Sequence, residues 1–297
     1  MIYLENFDLL TNSMEEDFFF SFVRTCFTNC YPFRFFLDRL KGLEFDDITI
    51  LCGSNGSGKS TLLNIIAEKL VLKRVTPYNK TYFFDPYIER CNYDFNIYEQ
   101  EEISRLMSVS RIITSDDVFN HIISLREKNE EIDKKREIVF NGKFRKLHGF
   151  NADDPESVKK YIDYCDMRRM SASQYVKQKI GEEQRTYSNG ENGFRYFVDA
   201  IQPGGLYLLD ETENSLSPEM QLQLTQYLLS MAHFYECQFV IATHSPFMLS
   251  IPFARIYNMD EIPVKTCKWT EYDNVRVYYD FFKQHSKEFE KADNNIV

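Results

Sequence analysis

Apolar positions in this chain recur in two periods, and the order in which they alternate predicts the elements. Asp47-Ile48-Thr49-Ile50-Leu51-Cys52 is a short β-rich apolar run, the pattern of a strand covered on both faces. A glycine-rich stretch follows, and then Leu62, Leu63, Ile65, Ile66 and Leu70 fall at helical spacing across residues 59–70. The same order returns late in the chain. Leu206-Tyr207-Leu208-Leu209 reads as a strand after the turn Pro203-Gly204-Gly205, and Ser217-Pro218 caps a helix expected through Met220 to about Tyr235. Residues 238–243 then form another buried strand, ended by Ser245-Pro246. Further strands are predicted near 2–7, 18–24, 31–36, 81–84 and 254–259. Thr270 and Asp273 have capping-box spacing ahead of a helix carrying Val275, Val277, Tyr278, Phe281 and Phe282, whose aromatics are expected to pack on the parent core, docking on a partner being the alternative.

Residues 85–185 break this rhythm. They are polar and helix-rich, with helical runs at 118–135 and 155–179, and are expected to form a helical lobe inserted into an α/β core. A hundred residues shared among several helices, at about 1.5 Å per residue, cannot build a long coiled-coil arm. The resulting division is 1–84 for the first part of the core, 85–185 for the lobe, 186–262 for the second part of the core and 263–297 for a helical tail.

The junction between the first buried strand and its helix carries the chemistry. Gly53, Ser54, Asn55, Gly56, Ser57, Gly58, Lys59, Ser60 and Thr61 satisfy the P-loop pattern G-x-x-x-x-G-K-[ST]. Only a glycine-rich backbone wraps closely enough to aim successive N–H groups at a polyphosphate, and the helix N-terminus adds its positive dipole end. Lys59 is placed to reach the β and γ phosphates, and Ser60 to ligate Mg²⁺. The strand at 206–209 ends in Asp210 and Glu211, the Walker B pattern. A carboxylate at the C-terminal end of a parallel strand faces the crevice into which the P-loop opens, so Asp210 is expected on Mg²⁺ and Glu211 beside the attacking water. His244 is delivered to the same rim by the following strand. Tyr31, Phe33 and Phe35 alternate ahead of the P-loop, and both base stacking and core packing are open to them.

Composition narrows the setting. Hydrophobic residues make up 43% and aromatics 15%, which excludes a disordered chain. A formal charge of −10 argues against a surface that binds nucleic acid throughout. Residues 126–185, however, hold 15 Lys and Arg against 12 Asp and Glu, and the remainder holds 20 against 33. The cluster Lys143-Phe144-Arg145-Lys146-Leu147-His148 leaves a nucleic-acid or protein contact open beside the plainer reading of a solvated helix face. The 7 cysteines lack any C-x-x-C pair and point to reduced thiols. Neither a leader-like N-terminus nor an apolar run of about 18 residues is present, so a soluble, cytoplasmic protein without a membrane contact is expected.

Taken together, G-S-N-G-S-G-K-S-T, L-L-D-E-T-E-N-S-L-S-P and I-A-T-H-S-P resemble the ABC-type ATPase superfamily. Within it they look like the soluble branch that holds SMC-like and DNA-repair ATPases and the small ATPases of bacterial defence operons. The resemblance covers about half of the chain. It implies an α/β P-loop NTPase core of ABC-ATPase type, with a mixed, largely parallel sheet and an inserted helical lobe, that binds and hydrolyses ATP with Mg²⁺. On it, Lys59, Glu211 and His244 are catalytic and Ser60 and Asp210 hold the metal. The segment 214–217 resembles the D-loop that crosses a dimer interface. Tyr187-Ser188-Asn189-Gly190-Glu191 is similar to the signature loop, Ser188, Gly190 and Glu191 matching and Asn189 replacing the usual glycine. That loop would contact the γ-phosphate held by a second copy, which implies a homodimer closed through ATP. The family's Q-loop falls either at Gln100 or at Ser115 and Asp116. The resemblance further implies a switch or sensor subunit acting on a separate effector, a nuclease or toxin, in antiviral defence. A nucleotide-gated scaffold with little turnover and a transporter's ATPase subunit are the alternatives.

Overall fold

A computed structural model of the chain describes residues 1–21, 29–143, 154–169, 171 and 189–293. Nine strands run in the order β1 (Leu4–Asp8), β2 (Gly42–Glu44), β3 (Ile48–Cys52), β4 (Asn92–Phe95), β5 (Arg111–Thr114), β6 (Leu206–Asp210), β7 (Gln238–Ala242), β8 (Arg255–Asn258) and β9 (Lys265–Thr266) among the described residues. The helices are α1 (Asn12–Ser21), α2 (Lys59–Lys69), α3 (Phe84–Arg90), α4 (Gln100–Val109), α5 (Ser115–Lys143), α6 (Pro155–Arg169), α7 (Asn189–Ala200), α8 (Pro218–Phe234), α9 (Pro246–Leu249), α10 (Asp273–Gln284) and α11 (Ser286–Asp293). The chain divides into two compact units, Met1–Val118 with Gly193–Val297, and Phe119–Asn192.

In the first unit, six strands form one sheet in the order β5-β6-β7-β3-β8-β9. Every pairing from β5 to β8 is parallel, and only the short β9 is antiparallel. Strands β3 and β7 are buried at every residue, which is why they read as continuous apolar runs rather than as alternation. Strands β2, β1 and β4 form a separate antiparallel sheet. The two sheets are joined by one buried amide. Gln238 at the start of β7 accepts from the N–H groups of Tyr3 and Leu4 at 3.0 and 2.9 Å, and donates to the carbonyls of Leu4 and Asp46 at 2.8 and 3.2 Å. Arg255 of β8 adds a forked pair to Asp46, and the Tyr257 hydroxyl bonds the Glu44 carbonyl on β2.

Several sequence expectations are corrected. The run at 18–24 was expected as a strand, but as far as Ser21 it belongs to α1. The inward positions are Met14, Glu15, Phe18 and Phe19, a helical period hidden inside Phe18-Phe19-Phe20. Residues 31–36 form a chain of turns rather than a strand. Arg34 and Asp38 take φ of 65° and 58°, and the Arg34 N–H is held by the buried Glu15 carboxylate at 2.8 Å. Residues 81–84 lead into α3, where Phe84, Tyr87 and Ile88 are buried at helical spacing. The stretch 85–118, expected in the helical lobe, contributes α3, β4, α4 and β5 to the first unit, so the second unit begins at Phe119. Thr270 does not cap α10, which has no side-chain cap. Its aromatics largely stay at the surface: Val275 is buried, but Tyr278, Tyr279 and Phe282 are half-exposed and line a groove of about 720 Å³ with Leu216 and Phe247.

The described part of the second unit is helical and largely exposed, with Ile122 and Asn129 buried. Along α5, Glu131 pairs with Lys135 at 2.6 Å and Asp133 with Arg136 at 3.0 Å, so much of its basic charge is met within its own helix. The basic cluster expected at 143–148 lies, apart from the backbone of Lys143, outside the described residues. No helix among the described residues is long and apolar enough to cross a membrane.

Replacing Gln238 by Leu leaves two buried N–H groups and two carbonyls without the amide. Urea unfolding is expected to show a loss of about 2–4 kcal/mol, whereas Gln238→Glu, which keeps the acceptor, should separate the loss of acceptance from the loss of donation.

Candidate active site

The site is built on the C-terminal rim of the parallel sheet. Strand β3 ends at Cys52, and the chain turns through Gly53 to Gly58 into α2. Gly58 holds φ of +100°, and a Cβ there would lie 2.4 Å from Phe35 Cε1. Gly56 holds φ of +84°, and a Cβ on it would point into open space. The turn is therefore left-handed twice, as only glycine tolerates well. Its outer edge is tied from an unexpected direction: Asp260, after β8, accepts from the Ser54 N–H at 2.8 Å and from its hydroxyl at 2.6 Å. Spacing gave no signal for Asp260, because the pairing of β8 with β3 brings it there.

Lys59 is 3% exposed and stands at the centre of the polar groups. Its Nζ donates to the carbonyls of Gly53 at 2.8 Å and Ser54 at 3.2 Å, and lies 2.8 Å from His244 Nε2 and 3.9 Å from Glu211 Oε1. Burial pushes its pKa down, and the nearby Glu211 and Asp210 pull it back. His244 Nε2 is also 3.2 Å from Glu211 Oε1. An unprotonated Nε2 accepts from the ammonium, and a protonated one donates to the carboxylate.

Strand β6 delivers the two acids. Its register sets Asp210 opposite Ala242 of β7 and Thr114 opposite Asp210, so the end of β5, with Ser115 and Asp116 next, flanks the acids. Gln100 instead opens α4. Asp210 Oδ1 accepts from the Ser60 hydroxyl at 2.9 Å. Burial pushes the Asp210 carboxyl up to about 6, partly offset by that hydroxyl. Glu211 takes φ of 48° and ψ of 37°, a left-handed conformation that costs a non-glycine residue about 1–3 kcal/mol. The turn aims its Oε1 toward Lys59 and His244, while Asn214 Nδ2 donates to its Oε2 at 3.3 Å.

A cavity of about 460 Å³ opens between the P-loop and the 31–36 turns. Tyr31 and Phe35 line it, with residues 55–56, 58–61 and Glu211 opposite. Tyr31 is fixed there by a hydrogen bond between its hydroxyl and that of Thr61. Phe33 turns the other way and stacks on Phe18 in the core, with centroids 4.3 Å apart. Of the three aromatics, two therefore face the cavity.

These residues fit a bound nucleotide and its metal. The first N–H groups of α2 have no partner within the helix, the Ser57 hydroxyl is buried without a partner, and the cradle accommodates no Cβ at Gly58. A hydroxyl and one carboxylate in contact form the oxygen donor set that Mg²⁺ takes from a protein when phosphates supply the rest. Of the signature residues, Ser188 lies outside the described residues. Asn189, Gly190 and Glu191 open α7 rather than lying in a loop ahead of it.

A left-handed glycine cradle at a helix N-terminus, facing two acids across a parallel sheet, defines a P-loop nucleotide-binding protein. A protein-family model described as ABC transporter matches residues 42–214, more than half of the chain, and the chain belongs to this family of ABC-type P-loop ATPases, which bind ATP with Mg²⁺. Among curated proteins it is 23% identical, over 84% of its own length and 70% of the other's, to the ATP-binding protein TupC of a tungstate uptake system in Campylobacter jejuni. Among solved structures it is similar to the SMC head domain from Thermotoga maritima, with 13% identity, a TM-score of 0.40, and 90% of this chain and 99% of that one covered. It is also similar to the ATP-binding cassette MJ0796 bound to ADP and Pi, with 16% identity, a TM-score of 0.36, and 79% and 92% covered.

Gly58→Ala forces a Cβ against Phe35 in a left-handed backbone. Strain of about 1–2 kcal/mol corresponds to roughly ten-fold weaker binding of a fluorescent ATP analogue, measurable by polarisation, while far-UV circular dichroism stays unchanged.

Proposed function

We propose that this protein hydrolyses Mg-ATP and does so as a pair of copies, each closing the other's nucleotide site with its 188–191 segment. The observation that carries hydrolysis is Glu211, held in a left-handed turn with one oxygen steadied by Asn214 and the other facing Lys59 and His244. A carboxylate so placed accepts a proton from water attacking the γ-phosphorus. Lys59 moves from the Gly53 and Ser54 carbonyls onto the phosphate oxygens, and His244 donates to the γ-phosphate. Mg²⁺ on Ser60 and Asp210 would neutralise charge on the β and γ phosphates. Tyr31 and Phe35 hold the base. The pairing is supported by the sequence resemblance of 187–191 and 214–217 to the signature and D-loops, and by the exposure of Ser54, Asn55 and Gly56 on the P-loop.

In this reading the paired and separated states switch a separate effector protein. The resemblance to small defence-operon ATPases supports antiviral defence as the setting and a nuclease or toxin as the effector. The similarity to TupC favours a second reading, the ATPase subunit of an importer. Affinity purification of the native protein separates them, since an importer subunit brings an integral membrane protein with it.

Glu211→Gln is expected to lower steady-state phosphate release by about 10²–10⁴-fold and to accumulate an ATP-dependent dimer in light scattering. Unchanged turnover would remove Glu211 from catalysis, and a monomer at saturating ATP would remove the pairing. The metal site adds a pH dependence. Asp210 has its pKa raised above the ordinary 3.8 to about 6, so below that pH a proton competes with Mg²⁺. Affinity for Mg²⁺ should therefore fall by up to about ten-fold per pH unit below pH 6 and level off above it. Mg²⁺ titration of the analogue complex reads this directly, and Asp210→Asn should abolish the slope.

A further inference from the structure

The segment after Glu211 carries a second carboxylate that the hydrolytic scheme does not use. Glu213 lies in the single 3-10 turn Thr212–Ser215 and is only 6% exposed. A charged side chain is rarely buried to this degree without a specific partner. Its Oε1 accepts two hydrogen bonds, from the Thr243 hydroxyl at 2.5 Å and from the backbone N–H of His244 at 2.8 Å. Thr243 is fully buried, and its Oγ1 also accepts from the Ser245 N–H at 3.0 Å. The carboxylate thus grips the turn at the end of β7 immediately ahead of the His244 Cα.

A second residue closes the same seam. Gln221, in the first turns of α8, donates to the carbonyls of Glu213 at 3.3 Å and Leu216 at 3.1 Å, while its Oε1 accepts from the Ser245 hydroxyl at 2.7 Å. The 212–216 segment and the 243–245 turn are therefore stitched by side chains of both, with Gln221 bridging them. Adjacent to Glu213, Asn214 holds Glu211. Two consecutive residues fix the two groups that meet at Lys59: Asn214 through the side chain of Glu211, Glu213 through the backbone of His244.

We propose that Glu213 is a positioning residue for hydrolysis, whose carboxylate sets the His244 backbone and thereby the place of its imidazole beside Lys59. The inference rests on the reading of His244 as a γ-phosphate contact. What Glu213 supplies is reach. The Oε1 atom must span from β6 to the end of β7, and an acceptor one methylene shorter does not meet both donors. A neutral amide oxygen in the same place accepts the same two hydrogen bonds, and its nitrogen takes the position of the buried Oε2, which has no partner. A displacement of the 212–216 segment, whatever contacts it, is carried to His244 through these two bonds.

The test uses three Glu213 variants of the whole chain and reads turnover and a histidine resonance, with ATP affinity as the control. Glu213→Gln keeps the reach and removes the charge, Glu213→Asp keeps the charge and shortens the reach, and Glu213→Ala removes both. Turnover and ATP affinity are measured together with the ring resonances of labelled histidine, His244 being assigned among the 5 histidines by His244→Gln. Glu213→Gln is expected to keep the His244 resonance and to hold turnover within a few-fold. Glu213→Asp and Glu213→Ala are expected to shift or broaden that resonance and to lower turnover on the order of 10- to 100-fold, with ATP affinity little changed. If Glu213→Ala does not fold, Glu213→Asp carries the comparison with Glu213→Gln. An Asp variant that matches the parent protein in both readouts overturns the proposal, as does an Asp variant that outperforms Gln, because charge would then be what matters. A fully active His244→Gln would instead defeat the catalytic reading of His244, and the resonance would still report whether Glu213 positions it.

Discussion

The site depends on the register of three parallel strands. P-loop, acids and histidine are separated by long stretches of chain, and nothing local brings them together. They meet because β3, β7 and β6 lie side by side with the same polarity, Leu51 opposite Ala242 and Ala242 opposite Asp210. Side chains along a strand alternate faces, so a slip of one residue in either ladder would turn Asp210 away from Ser60. The continuous burial of β3 and β7 makes that slip costly. The amide of Gln238 fixes the start of β7 against β1, at the opposite end from His244.

Within this frame the site is organised around one buried ammonium. Lys59 is surrounded by two carbonyls, an imidazole and a carboxylate, the partners expected of a cation withdrawn from water. In the proposed hydrolytic reading the same groups face the space a γ-phosphate takes. In that reading a nucleotide offers Lys59 doubly charged partners and releases Glu211 and His244 from it. The left-handed backbone at Glu211 and the bonds from Asn214 and Glu213 keep those two groups in place when the lysine leaves. Strain and polar ties are concentrated around these two groups.

How much was legible followed the range of the interactions involved. The P-loop, both buried strands, α2 and α8 were readable because burial on two faces, a glycine cradle and an N-capping Ser217 are local patterns. The errors arose where a distant group decided the backbone. Residues 31–36 look like an alternating strand, yet Glu15 holds Arg34 in a left-handed turn and converts the stretch into a loop that carries Tyr31 and Phe35 to the cavity. The aromatic run at 18–20 has strand composition, but its contacts with Phe33 and Phe83 follow a helical face. Strands β4 and β5 have only four residues each, and only their pairing with β1 and β6 assigns them to the first unit.

What the amino-acid order determined by itself is the set of chemical groups: a glycine turn of P-loop pattern, a hydroxyl at the start of its helix, and two acids and a histidine at strand ends. These follow from residue type and spacing along one segment at a time. Tertiary structure decided which of them touch. The bond from Ser60 to Asp210, the tie from Asp260 to Ser54, the choice of Tyr31 and Phe35 over Phe33, and the hold of Glu213 on His244 all join residues from different segments of the first unit. Such contacts depend on strand register and on turns set by remote side chains, and no periodicity within a segment records them.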